Sequence, residues 1–269
     1  MVASIIVPYR IDLRHPPGDV LDRLVELGAL DVESADGAIA ALMPDTVSAT
    51  DVAKALGLTD LRISRAVGRD DESVWMLSPR PVRTRTLQFV PANMPAVPGA
   101  LRIADGPAFG TGVHPTTALC LEALEGLLDV VTPARALDVG TGSGILALAL
   151  LQRGVPWVVG IDIDAEALQV AAENVRLNRV GGRLSLVRGR PDAVRGSWPL
   201  VVANIRAAEL MELAPALVRR LASGGRLVLS GIPQSVAPEV EQTYRRLGLT
   251  RVGSDTRDGW SALVLAPSW

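Results

Sequence analysis

The chain has 269 residues, 48% of them hydrophobic and 21% charged. That is too much apolar material for a disordered chain, and at a nominal ~150 residues per domain the length asks for one full domain and a smaller companion. Basic residues number 27 and acidic residues 29, a formal charge of −2, so no global positive field exists to hold nucleic acid or an anionic membrane by counterion release. The single cysteine, Cys120, can form neither an internal disulfide nor a multi-cysteine zinc site. His15 and His114 lie far apart, so no metal is expected. The amino terminus, MVASIIVPYRIDLRHPPGDV, turns to charges and prolines after a short apolar run. No stretch reaches the roughly 18 apolar residues of a membrane span, and the expectation is a cytoplasmic protein that does not bind membranes.

Periodicity and turn chemistry give the order of elements in the first seventy residues. Residues 4–7 form a short apolar run suited to a strand, and residues 19–27 carry a helical stripe of Val20, Leu21, Leu24, Val25 and Leu27 that ends at Gly28. Residues 30–33 and 38–42 read as strands joined by Ser34-Ala35-Asp36-Gly37, in which Asp-Gly is a hairpin signal. Residues 48–56 read as a helix with Ser or Thr caps and a stop at Gly57, and residues 61–67 alternate as a half-buried strand should. The order βαββαβ predicts a ferredoxin-like α+β domain over residues 1–70. Residues 71–105 break the pattern with Pro79, Pro81, Pro91, Pro95 and Pro98, and read as a linker in which only residues 84–90 resemble a strand.

Regular alternation then fills residues 106–269. Helices are expected at 116–128, 144–152, 165–177, 207–221 and 236–247, and strands at 136–139, 158–163, 184–187, 200–203 and 226–229. Continuous apolar runs such as Trp157-Val158-Val159-Gly160-Ile161 imply burial on both faces, hence a parallel sheet between helix layers. The last two runs, 250–253 and 261–266, have no helix between them and should be antiparallel. A doubly wound, mostly parallel sheet that ends in an antiparallel hairpin is the Rossmann-like arrangement of class I S-adenosylmethionine-dependent methyltransferases.

The chemistry-bearing residues lie at strand ends. LDVGTGSG, residues 137–144, closes a strand and opens a helix, and Gly140, Gly142 and Gly144 allow a sharp turn and close approach of a ligand to free helix N–H groups. Gly142 to Ala147 also satisfies G-x-G-x-x-A, so a nicotinamide cofactor is a rival. Asp138 weighs against it, because a carboxylate there suits the cationic end of S-adenosylmethionine and repels a pyrophosphate. Asp162, in GIDID, lies about 20 residues beyond the glycines, where either cofactor needs an acceptor for its ribose hydroxyls. Its other reading is a helix cap, for which Asp164 is better placed. Asn204, in VVANI, is the candidate for orienting a methyl acceptor; it too has an alternative reading, as the cap of the next helix. In GPAFGTGVHPTTALC, residues 106–120, Thr116 and Thr117 can act as caps and Phe109 and His114 as packing residues, or all four can serve a site.

AFGTGVHPTT followed by LDVGTGSGILALA, GIDID, ANI and LSGI at these spacings closely resembles the PrmA family, the methyltransferases of bacterial large-ribosomal-subunit protein eleven. The likeness covers residues 106–269. It implies S-adenosylmethionine as cofactor and places donor-binding residues on Thr117, Gly140, Asp162 and Asn204, with Phe109 and His114 in the matching segment. It also implies a ferredoxin-like amino-terminal domain that recognises a protein substrate. One departure is plain: where family members commonly have a tryptophan-rich helical linker, this chain has ESVWMLSPRPVRTRTLQFVP with Trp75 alone. Trp260 falls where the family tends to have an aromatic residue near the site.

The expectation from the whole sequence is a protein N-methyltransferase, a monomer acting on a basic ribosomal protein with no direct nucleic-acid contact. The alternatives are methyl transfer to another protein, a small molecule or RNA on the same fold, and, from a different class, a nucleotide-cofactor oxidoreductase or sensor. Residues 1–95 carry 10 basic and 13 acidic side chains, which suits a basic protein better than a phosphate backbone.

Overall fold

In the computed structural model of the chain, the structure describes residues 8–14, 16, 19–35, 38–58, 61–66, 68–69, 74–75, 80–104, 110 and 112–269. Two compact units divide between Pro79 and Arg80. The smaller begins with β1 (Tyr9–Arg14), α1 (Val20–Glu26), β2 (Asp31–Ala35), β3 (Ala38–Met43), α2 (Ala49–Leu56) and β4 (Arg62–Arg65). Its strands lie in the order β2-β3-β1-β4, with β1 antiparallel to both neighbours. Ile11, Leu13, Ile39, Ala41 and Met43 bury against Val20, Leu24, Val52 and Leu56 of the two helices. Helix α2 starts where Ser48 accepts the Asp51 N–H at 3.1 Å and stops at Gly57, whose φ of 67° closes the last turn. β5 (Gly68–Arg69) and β6 (Val74–Trp75) form a separate antiparallel pair.

One expectation for this unit falls outside the described residues and another needs correction. The run expected as the first strand, residues 4–7, lies outside the described residues; the observed β1 is YRIDLR, whose alternation places Ile11 and Leu13 inward but is masked by intervening charges. β4 is exposed along its whole length rather than half-buried, and among the described residues it is an edge strand of the sheet.

The larger unit opens with residues expected to be linker. β7 (Val82–Arg83), β8 (Gln88–Pro91) and β9 (Leu101–Ile103) form a three-stranded sheet. Leu87, Phe89, Leu101 and Ile103 are part of the unit's apolar core, together with Leu121 and Leu124 of α3 (Pro115–Leu128). Glu125 of α3 is the polar anchor for this segment: its Oε1 accepts from Thr84 Oγ1 at 2.7 Å, from Thr86 N at 2.7 Å and from the Thr86 hydroxyl. Burial pushes the Glu125 carboxyl up, and these donors outweigh it, holding the group below its ordinary value. The prolines of this stretch had obscured strands too short to show a period.

The remaining elements are β10 (Arg135–Val139), α4 (Ile145–Gln152), β11 (Trp157–Asp162), α5 (Ala165–Leu177), β12 (Leu184–Arg188), β13 (Trp198–Asn204), α6 (Ala207–Arg220), β14 (Leu221–Pro233), α7 (Ala237–Arg246), β15 (Leu249–Arg257) and β16 (Trp260–Pro267). They form a seven-stranded sheet in the order β12-β11-β10-β13-β14-β16-β15, parallel except for β16, which is antiparallel to both β14 and β15. The order reverses between β10 and β13, so the switch point lies at the carboxyl ends of those two strands. This is the doubly wound class I methyltransferase sheet. Ala136, Val158, Leu200, Val202 and Val228 face α3 and α4, while the alternate residues Leu137, Val139, Val201, Ala203 and Leu229 face α6 and α7.

Phe89 separates a core strand from a surface linker. Phe89→Ala should destabilise the protein by about 3–5 kcal/mol in denaturant unfolding, the range for removing a large buried aromatic, whereas a position in a surface linker would change the midpoint little.

Candidate functional site

Every expected site residue among the described ones gathers at the carboxyl edge of the large sheet. The glycine loop leaves β10 and folds back at once onto β11: Gly140 N and Thr141 N both donate to Ile161 O at 2.9 Å. Gly140, Gly142 and Gly144 have φ of 68°, 53° and 80°, a region open to glycine and strained for other residues. Gly140 is also crowded, since a Cβ there would lie 2.2 Å from Ile205 Cγ2.

Asp138 holds this loop from below. It is fully buried, and its Oδ2 accepts from Thr141 Oγ1 at 2.7 Å and from Ala147 N at 3.2 Å, tying the loop to the first turn of α4. Its Oδ1 is buried with no hydrogen-bond partner. Desolvation dominates its titration and, with a smaller contribution from the Asp162 charge, outweighs the two donors and pushes the carboxyl up to about 7. One face of the carboxylate therefore organises the loop, a structural duty that the sequence reading did not include.

Asp162, at the end of β11, has both oxygens in use by backbone: Oδ2 accepts from Gly142 N at 2.9 Å and Oδ1 from Asp164 N at 3.0 Å. A carboxylate has about four lone-pair sites, so each oxygen can still accept a ligand hydroxyl. Asp164, not Asp162, caps α5, accepting from Glu166 N at 2.9 Å.

Asn204, the last residue of β13, does not cap α6; its carboxamide turns inward and Nδ2 donates to Thr117 Oγ1 at 3.3 Å. Its Oδ1 is buried without a donor. Asp138, Asn204 and Ser230 project from the same face of the sheet, Asn204 and Ser230 in direct register across β13 and β14. α3 covers them. His114, rather than either threonine, is the N-cap of α3, its Nδ1 accepting from Thr116 N at 3.2 Å and lying 2.7 Å from Thr116 Oγ1. Nδ1 is thus an acceptor, which leaves the ring proton on Nε2. The Trp260 ring meets His114 edge-on, with centroids 5.1 Å apart, and brings the start of β16 to the same place.

Phe109 lies outside the described residues. The others, His114, Thr117, Asp138, Gly140, Gly142, Gly144, Asp162 and Asn204, meet at one edge. Sequence reasoning missed Ser143 and Asn174, both buried and both bonded into the glycine loop. The available signal was a pair of asparagines, Asn174 and Asn178, four apart in a helix where asparagine is a poor former.

A family model described as ribosomal protein L11 methyltransferase (PrmA) matches residues 23–267. The chain belongs to this family. A relative named ribosomal protein L11 methyltransferase from Pelobacter propionicus is 45% identical over 63% of this chain and 58% of its own. One of the same name from Azotobacter vinelandii is 40% identical over 76% of this chain and 70% of its own. The solved structure of a ribosomal protein L11 methylase from Lactobacillus delbrueckii subsp. bulgaricus is similar at a TM-score of 0.64 and 31% identity, covering 71% of this chain and all of that one. The match spans 53% to 65% of the length of the first four curated relatives. The family is named for methyl transfer, not for the oxidoreductase chemistry that the glycine spacing had left open.

The Asp138 environment has a pH signature. The folded carboxyl titrates near 7 and an unfolded aspartate near ~3.9, so between those values the folded state holds the additional proton and stability falls as pH rises. The groups coupled to it are Thr141, Asp162 and the buried Cys120 thiol. Asp138→Asn keeps an acceptor for Thr141 and Ala147 but cannot ionise. Its urea midpoint, relative to wild type, should rise from pH 5 to pH 7.5; parallel curves for the two proteins would remove the buried carboxylate from the account.

Proposed function

We propose that the chain binds S-adenosylmethionine at the carboxyl edges of β10, β11 and β13 and transfers its methyl group to amino groups of a ribosomal protein, the substrate for which its relatives are named. The observation that carries this reading is the buried, donorless Oδ1 of Asn204 at the sheet's switch point. A buried acceptor without a donor is costly to maintain and suits an incoming N–H. The Asp138 Oδ1, equally without a donor, supports a cationic ligand over an anionic one for the same reason of charge.

When bound, S-adenosylmethionine supplies an electrophilic methyl carbon on a positively charged sulfur. The protein then has no covalent chemistry to perform; it has to orient and desolvate. Asp162 would hold the ribose hydroxyls through the lone pairs left free by Gly142 N and Asp164 N. Gly140 and Gly142, lacking side chains, let the backbone approach the ligand. Asn204 Oδ1 would accept one N–H of the acceptor amine and so orient it for attack, with Thr117 holding the carboxamide in place through the Nδ2 bond. A substrate lysine is ordinarily protonated up to pH ~10.4. The packed His114–Trp260 pair, by limiting water, and the positive sulfur of the donor would both favour the neutral amine that reacts.

Charge supports a basic acceptor. Residues 1–79 carry 7 basic and 13 acidic side chains and residues 80–269 carry 20 basic and 16 acidic, so acidity is concentrated in the smaller unit. That unit is assigned the recognition of the protein substrate, with long-range attraction steering a basic partner toward it. A ribosomal substrate places the reaction in the cytoplasm, and no helix among the described residues is long and apolar enough to cross a membrane.

Two substitutions separate donor binding from acceptor orientation. Asp162→Ala should weaken S-adenosylmethionine binding at least tenfold by calorimetry. Asn204→Ala should lower kcat by about 10²-fold with a donor Kd within a few-fold of wild type; equal losses in both would make Asn204 a donor contact only. Labelled methyl transfer into ribosomal proteins, with protease and ribonuclease controls, tests the acceptor class, and label removed by ribonuclease alone would make it RNA.

A further inference from the structure

Two buried side chains, Ser143 and Asn174, join the glycine loop to the segment on the amino-terminal side of α3. Ser143 Oγ donates to Gly110 O at 2.6 Å. Asn174, fully buried on α5, donates from Nδ2 to Ser143 O at 2.8 Å and accepts through Oδ1 from Ala104 N at 2.7 Å. One turn later, Asn178 grips the next alternate residue of β9, accepting from Arg102 N at 2.8 Å and donating to Arg102 O at 2.7 Å. Asn178 thus pairs with both backbone groups of Arg102 as a neighbouring strand would, while Asn174 bridges the residue after β9 to the glycine loop.

The contacts are close. A Cβ on Gly110 would lie 2.7 Å from Ser143 Oγ, so glycine at 110 is what lets the two backbones meet. Gly144, the N-cap of α4, would bring a Cβ to 3.5 Å from Ala171 of α5, so α5 packs directly behind the loop. Both site-bearing stretches therefore converge on one serine: residues 140–144 through its backbone, and Gly110, four residues before His114 and seven before Thr117, through its hydroxyl.

We propose that Ser143 and Asn174 are positioning residues for the methyl donor, holding the glycine loop and the chain leading to His114 and Thr117 at the spacing the ligand requires. Neither need touch the ligand. Asn174 fixes the Ser143 carbonyl, Ser143 fixes the Gly110 carbonyl, and the loop is set before the ligand arrives, so binding spends less free energy on ordering it. Asn178, which grips Arg102 without reaching the loop, belongs to the same helix face but has only a packing duty. The inference rests on the donor assignment made above.

The test compares three variants, Ser143→Ala, Asn174→Ala and Asn178→Ala, in the full chain, by calorimetry with S-adenosylmethionine and by thermal unfolding without it. Ser143→Ala and Asn174→Ala should each weaken donor binding about tenfold, the scale of one buried hydrogen bond. Their combination should lose less than the product, because both act on one loop. Asn178→Ala should lower the unfolding temperature while its donor Kd stays within about twofold of wild type. In steady state the first two variants should raise the donor KM and leave the acceptor KM unchanged. If Asn174→Ala does not fold, Ser143→Ala, which deletes a single oxygen, decides the matter alone. Wild-type binding with unchanged affinity in Ser143→Ala, or donor losses in Asn178→Ala as large as in the other two, would overturn the positioning role while leaving the donor assignment standing. No binding by wild type would overturn the donor assignment itself, and this inference with it.

Discussion

A buried carboxylate under the glycine loop is the constraint on which the site depends. Residues 140–144 can turn as they do because three of the five are glycines in left-handed conformation, and a chain so composed has few side chains with which to hold a shape. Asp138 supplies the missing restraint from the penultimate position of β10, accepting from the Thr141 hydroxyl on one side and the Ala147 N–H on the other. The arrangement is expensive, since burial without a counter-cation raises the carboxyl to about 7 and leaves Oδ1 without a donor. A structural role alone could be filled by a neutral acceptor such as asparagine; an ionisable one is suited to a site that receives a cation.

From that anchor the rest follows as a layer. Asp138, Asn204 and Ser230 stand on one face of three adjacent strands, and α3 lies over them with His114, Thr117 and Cys120 turned inward. Ser230 donates to Ser261 O at 2.9 Å, and the Arg257–Glu122 pair at 3.0 Å draws the β15–β16 hairpin against α3 on its outer side. The antiparallel hairpin therefore does more than end the sheet. It delivers Trp260 to His114, the N-cap of α3.

The large sheet was legible in the sequence because its central strands are apolar on both faces and the helices between them are set off by glycines, caps or an apolar stripe. Asp138, Asp162 and Asn204 were legible as strand-end polar residues next to glycines, a pattern that local sequence carries in full. Residues 80–104 were not, since three strands of two to four residues have no period, and what fixes them is Glu125 more than thirty residues away. The alternation of β1, with Tyr9, Ile11 and Leu13 set between Arg10, Asp12 and Arg14, was passed over because it holds few apolar residues and follows a continuous apolar run. The asparagine pair marked Asn174 but not its duty, for a related reason: its partners, Ala104 and Ser143, are 70 and 31 residues distant, and nothing in a helix records which backbone it will face.

The central claim is that the polar layer at the ends of β10, β11 and β13 is a methyl-donor site whose geometry exists before ligand binds. A crystal structure with S-adenosylhomocysteine tests it most directly. The account predicts ribose hydroxyls within hydrogen-bond distance of Asp162, the amino-acid end of the ligand beside the glycine loop and Asn204, and the Asp138–Thr141 and Asn174–Ser143 bonds unchanged. Ligand density away from the carboxyl edge of the sheet, or a glycine loop that refolds to receive it, would contradict the account.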